Sequence, residues 1–267
     1  MMGAVVDVSS LFSVEGKVAL VTGGSRGIGE MISRGLVAAG AKVYISSRKA
    51  EACQALADEL SSGGAEVIAL PADLSRPEEC QRLAEELAGR EDSLDILINN
   101  AGATWGAPLE DYPLDGWDKV MNVNVRGVFL LTQALADRLR AAGSAEDPAR
   151  VINIGSVDGL HTPKVESYAY PASKAAVHHL TKHLAWRLVR DHVTVNAIAP
   201  GLFPSKMTAF MFEGSDDAER EIGSNIPRGR VGSPEDVAGT VIWLCSRAGA
   251  YVTGAVVPVD GGAVTLS

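Results

Sequence analysis

The chain has 267 residues, 46% hydrophobic and 21% charged, with a formal net charge of −9. That is the composition of a globular protein with an ample core, and the acidic balance leaves no basic stripe to displace counterions from nucleic-acid phosphates. Three scattered cysteines, Cys53, Cys80 and Cys245, read as buried thiols in a reducing cytoplasm rather than a disulfide framework or a metal site, and no apolar run reaches the ~18 residues of a bilayer span.

Residues 1–14 read as an N-terminal extension, since Met1–Phe12 lacks the basic residues of a signal peptide, and residues 15–267 read as one domain. From Lys17 onward short apolar runs alternate with helical patterns. The strands expected are 18–21, 42–45, 67–70, 96–98, 151–154, 193–198 and 256–259. The helices expected are 28–39, 51–60, 77–88, 117–142, 172–190 and 234–246. Strands apolar on both faces belong in a parallel sheet with helices on either side. No linker or repeat breaks the rhythm, so the fold class expected is α/β: a single-domain Rossmann fold, a doubly wound parallel sheet of seven strands with helices on both faces. Residues 202–230 fall outside the rhythm and read as a lid at the carboxyl edge of the sheet.

The first strand runs into Thr22-Gly23-Gly24-Ser25-Arg26-Gly27-Ile28-Gly29, which opens the first long helix. Gly23 and Gly27 allow a tight turn, Gly29 lets the helix pack on the sheet, and free N–H groups at the helix start face a pyrophosphate. About 20 residues on, where an NAD enzyme places a carboxylate, stands Ser46-Ser47-Arg48. With Arg26 as a second guanidinium, this favours the 2′-phosphate of NADP(H). Asp73-Leu74 follows the third strand, where Asp73 either accepts from an adenine amino group or caps the next helix. Asn99-Asn100-Ala101-Gly102 ends the fourth strand and suits a wall under a flat cofactor, although such residues also simply make turns.

Tyr170 and Lys174 stand one helical turn apart, 14 residues after Ser156, which is placed at the end of the fifth strand. A free phenol is a weak acid with pKa near 10, and an ammonium within about 4–6 Å favours the phenolate, so Lys174 is expected to lower Tyr170. Ser156 would hold a substrate carbonyl while hydride moves between a nicotinamide and the carbonyl carbon and Tyr170 moves the proton. His179 and His183 are spaced as metal ligands can be, but no carboxylate or cysteine completes a set. Packing at a subunit interface is therefore the expectation for them and for His178.

These motifs, with Asn124, Pro200-Gly201 and Asp260-Gly261-Gly262, resemble the short-chain dehydrogenase/reductase family from Lys17 to Gly262. The resemblance implies that Asn124 holds a water linking Lys174 to solvent and that Lys174 bonds the nicotinamide ribose. It also implies that Pro200, Gly201 and Ser205 lie at the nicotinamide, and that the assembly is a homotetramer. Within the family the sequence is most similar to bacterial NADPH-dependent 3-oxoacyl reductases of the rhamnolipid-synthesis type. An acyl thioester on CoA or on acyl carrier protein is the substrate class implied. Asp147 and Asp191 stand where housekeeping relatives present arginines, which disfavours an acidic carrier. An NADP-linked dehydrogenase of a secondary alcohol, polyol or steroid, and a non-catalytic NADP(H)-binding regulator, stay as alternatives.

Overall fold

A computed structural model describes residues 7–205, 208–209 and 217–264. Strands β1 (Val18–Thr22), β2 (Lys42–Ser46), β3 (Val67–Ala69), β4 (Ile96–Asn99), β5 (Ala149–Ile154), β6 (Val193–Pro200) and β7 (Val256–Val259) form one parallel sheet. Their spatial order is β3-β2-β1-β4-β5-β6-β7, so the winding reverses between β1 and β4 and opens a crevice at their carboxyl ends. The expected fold class is the observed one.

Side chains alternate between two cores, which explains why the strands read as continuously apolar. Ala19 and Val21, Val43 and Ile45, Ile96 and Ile98, and Ile152 and Ile154 face one core. Helices α2 (Gly27–Ala38), α3 (Ala50–Ser61) and α10 (Pro234–Cys245) cover that face through Ile32, Leu36, Leu56, Val237 and Val241. Leu20, Tyr44, Leu97 and Val151 face the other core. It is covered by α4 (Pro77–Ala88), α6 (Val128–Ala134), α7 (Ala136–Ala142) and α8 (Ala169–Leu188) through Leu83, Leu131, Leu139 and Leu188.

Two helix expectations need correction. The single helix over 117–142 is instead α5 (Leu114–Met121), a π-turn over Asn122–Gly127, then α6 and α7. The wide turn carries Asn124, whose side chain both donates to and accepts from the backbone of Ala103. The helix expected from Ala172 begins at Ala169, because Pro171 falls in its first turn, where no N–H partner is needed.

At the amino end, α1 (Val8–Leu11) is capped by Asp7 and has no buried residue, whereas Val14 is fully buried in the first core. In the lid segment, α9 spans Ala218–Ser224, and residues 206–207 and 210–216 lie outside the described residues. No helix among the described residues is long and apolar enough to cross a membrane.

Candidate functional site

The glycine loop leaves β1 at Thr22 and enters α2 at Gly27, with Gly23 and Gly27 at positive φ, 63° and 54°. Thr22 Oγ1 accepts from the N–H groups of Asn100 and Ala101 at 2.9 and 3.0 Å, and Asn100 Nδ2 donates to the Thr22 and Gly23 carbonyls at 2.9 and 3.1 Å. Asn100 is thus the bracket that ties the loop to the end of β4. Gly29 has a tighter duty than packing on the sheet: a Cβ there would overlap the Gly23 carbonyl oxygen and Asn100 Nδ2. Ser205 lies over the loop, 3.2 Å from where a Cβ of Gly27 would stand.

At the end of β2, Ser25 Oγ donates to Ser47 Oγ at 2.9 Å. Arg26 and Arg48 are exposed, and neither side chain has a hydrogen-bond or ion-pair partner among the described residues. Asp73 Oδ1 accepts from Ser75 N and Oγ at 3.1 and 2.8 Å, closing a small turn. It is not the cap of α4, whose N-cap is Arg76. Leu74 is buried, and its carbonyl leaves no room for a Cβ on Gly127 of the π-turn.

The residues expected to carry acid–base chemistry meet beside this crevice. Lys174 Nζ donates to the Ile154 carbonyl at 2.8 Å and lies 5.5 Å from the centre of the Tyr170 ring. Asn124 Nδ2 donates to Ser173 Oγ and to the Ala103 carbonyl, both at 2.9 Å, and Ser173 Oγ donates to the Tyr170 carbonyl at 2.7 Å. A Cβ at Gly102 would sit 3.5 Å from Asn124 Oδ1 and 3.8 Å from Lys174 Nζ, so the β4 turn abuts the same centre. Ser156 does not end β5, which stops at Ile154. It caps a 3-10 turn (Val157–Gly159), where its Oγ accepts from Asp158 N at 3.1 Å. Pro200 ends β6, and Gly201 N bonds the Val259 carbonyl at 3.0 Å.

The Tyr170 phenol is raised rather than lowered as expected, and burial, not Lys174, sets the direction. Burial pushes the phenol up to about 12; the Ser156 hydroxyl pulls against this and the Asp158 charge adds to it. Lys174 itself is brought down to about 8 by burial, against the attraction of Asp158. Desolvation penalises the charged form of both groups, and the ammonium lies over the ring and is bonded to a carbonyl. The histidines also divide: His179 and His183 are exposed, but His178 is buried in its own chain against Gly155 and Gly159 and is not a surface contact. No cluster of three potential metal ligands occurs among the described residues.

Sequence reasoning missed Thr22 and Ser173 as supports of the site and Asp158 as its carboxylate. Thr22 lies within the glycine motif, Ser173 beside Lys174 and Asp158 two residues after Ser156, and that proximity was the only signal.

A family model described as enoyl-(acyl carrier protein) reductase matches residues 23–264. The chain is 53% identical over 251 residues to the rhamnolipids biosynthesis 3-oxoacyl-[acyl-carrier-protein] reductase of Pseudomonas aeruginosa, covering 94% of this chain and 97% of that protein. It is 37% identical over 250 residues to the 3-oxoacyl-[acyl-carrier-protein] reductase FabG of Aquifex aeolicus, covering 93% and 98%. The structure of the P. aeruginosa RhlG/NADP active-site complex superposes with a TM-score of 0.90 at 52% identity, covering 95% and 98%.

Proposed function

Because the chain belongs to the short-chain dehydrogenase/reductase family, we propose that it is an NADPH-dependent reductase of the 3-oxo group of an acyl thioester. The observation that carries this reading is the convergence of Ser156, Tyr170, Lys174 and Asn124 beside a glycine cradle that a single added methyl would fill.

The residues fit a dinucleotide. The backbone from Gly23 to Gly29 would hold its pyrophosphate, Ser25, Arg26, Ser47 and Arg48 the ribose 2′-phosphate, and Asp73 and Leu74 the adenine. Asn100, Ala101 and Gly102 would wall it. Tyr170 and Lys174 would bond the nicotinamide ribose, and Pro200, Gly201 and Ser205 would lie at the nicotinamide. When bound, NADPH supplies the hydride that the carbonyl carbon accepts.

Ser156 positions the substrate oxygen, and Tyr170 gives that oxygen its proton. The raised phenol is protonated at neutral pH, the state in which it can donate to the substrate oxygen. Lys174 and Asn124 hold the ribose and the proton path. The family model's description names an enoyl reductase, but a serine set beside the tyrosine suits a carbonyl oxygen better than a carbon–carbon double bond.

Acyl carrier protein regains weight as a carrier. Asp147 pairs with Lys17 and Arg150 at 2.7 and 3.0 Å, and Asp191 with Arg140 and Arg187 at 2.9 and 3.0 Å. Both carboxylates are neutralised within the chain, so they repel an acidic partner less than the sequence suggested.

The test is NADPH oxidation by purified protein with 3-oxoacyl thioesters on CoA and on carrier protein, with plain ketones and NADH as controls. Thioester turnover with NADPH preferred is the expected result, and turnover of ketones alone would move the protein to a secondary-alcohol dehydrogenase. Tyr170→Phe is expected to lose about 10²–10⁴ in kcat while NADPH affinity, short of one ribose hydrogen bond, falls by no more than about 10-fold. An indifferent variant would mark a cofactor-sensing protein instead.

A further inference from the structure

Asp158 is a carboxylate built into the wall of the reacting centre. Its N–H donates to Ser156 Oγ at 3.1 Å, which ties the turn to the hydroxyl that would face the substrate oxygen. The same turn is laid directly on α8: a Cβ at Gly159 would stand 2.7 Å from the Lys174 carbonyl carbon and 2.8 Å from Ala175 N. Asp158 is therefore fixed between Ser156 and the helical turn that carries Tyr170 and Lys174.

Its side chain keeps 26% of its surface open, whereas Lys174 is 5% exposed and bonded to the Ile154 carbonyl. The negative charge is thus the more solvent-accessible of the two. Among the described residues, His161 is the partner paired with Asp158, with Nε2 3.6 Å from Asp158 Oδ1. Among the described residues, Asp158 is the carboxylate whose charge reaches both Tyr170 and Lys174, and burial raises its own carboxyl.

Building on the carbonyl-reductase reading, we infer that Asp158 is a specificity-determining residue that rejects substrates with a free carboxylate close to the reacting carbonyl. It admits the neutral ester or thioester of the same skeleton. Two like charges about 6 Å apart at a partly buried site disfavour association by roughly 100-fold, enough to separate a 3-oxo acid from its thioester without any contact to the carrier.

Ethyl acetoacetate and acetoacetate share a carbon skeleton and differ by that one charge. Their kcat/KM values are compared at saturating NADPH and pH 7.5, where histidine side chains in general are neutral. The wild-type ratio of ester to acid is expected to be about 100 or more. Asp158→Asn, which preserves the backbone bond to Ser156, is expected to bring it below about 10 through a rise on the acid, while Asp158→Glu keeps it high.

A wild-type ratio near 1, or a ratio that Asp158→Asn leaves unchanged, overturns the assignment. If Asp158→Asn fails to fold, Asp158→Ser asks the same question. If the wild-type protein turns over neither compound, the thioester panel decides separately whether the carbonyl-reductase reading holds. The Kd values of the pair for the NADP+-saturated protein then test Asp158 independently, with equal affinities counting against it.

Discussion

Lys174 is buried with a hydrogen bond to the Ile154 carbonyl, and its ammonium is brought from 10.5 down to about 8. The unfolded chain therefore binds more protons than the folded one between pH 8 and 10.5, so stability rises with pH across that window. Below pH 8 the burial costs about 3 kcal/mol, at or above the roughly 1.5–3 kcal/mol that a charged donor's carbonyl bond returns. Lys174→Met is thus expected to be inactive yet more stable than wild type at pH 7. Urea unfolding should show the gap closing as pH is raised toward 10, and a gap that does not change with pH would show that Lys174 is not held at a depressed pKa. Tyr170, Lys174 and Ser156 could be proposed from the sequence because chemistry restricts the residue types and a helix restricts the Tyr170–Lys174 spacing. The sign of the Tyr170 shift was not, since it depends on how much water the fold removes from the phenol.

The turn from β1 into α2 works through close backbone approach. A Cβ at Gly29 would overlap the Gly23 carbonyl and the Asn100 amide, both fixed by hydrogen bonds to Thr22 and its neighbours. Gly29→Ala is expected to cost about 1–3 kcal/mol and to weaken NADPH binding at least ~10-fold, read by thermal unfolding and by cofactor titration. An alanine protein with unchanged cofactor affinity would show that the loop relaxes freely. The strand-to-helix turn was readable from glycine spacing alone, and α2, α3, α4 and α10 end within one residue of their expected limits. The π-turn at Asn124 was not readable, because an apolar period cannot show a side chain pulled toward a backbone carbonyl on another segment. Nor was the start of α8, where Pro171 reads as a breaker although the first turn tolerates it.

Across the whole molecule, polar side chains lock the layers that the two apolar cores press together. Asn99 Nδ2 donates to Thr132 Oγ1 and to Asn153 Oδ1, and Asn153 Nδ2 to Thr181 Oγ1, joining α6 and α8 through adjacent strands. Arg150, at 0% exposure, donates to the Leu244 and Ser246 carbonyls at 3.1 and 2.8 Å and pairs with Asp147, fixing the end of α10 to β5. Arg150→Met leaves those acceptors unpaired and is expected to cost about 3 kcal/mol, a fall of roughly 6–12 °C in Tm that salt does not reverse. Activity at 25 °C should persist, and a Tm within about 2 °C of wild type would show the guanidinium to be dispensable. The amino-acid sequence by itself determined the parallel sheet, its two covered faces, the glycine turn from β1 into α2 and the one-turn spacing of Tyr170 and Lys174, because each follows from local periodicity or from spacing along one element. Only the tertiary structure decided that Asn100 brackets the loop, that Asp147 and Asp191 are neutralised, that His178 is interior, and that the Asp158 turn packs on the helix between Ser156 and Lys174. Those properties arise between segments far apart in the chain, where desolvation and pairing are set by neighbours that no local pattern identifies.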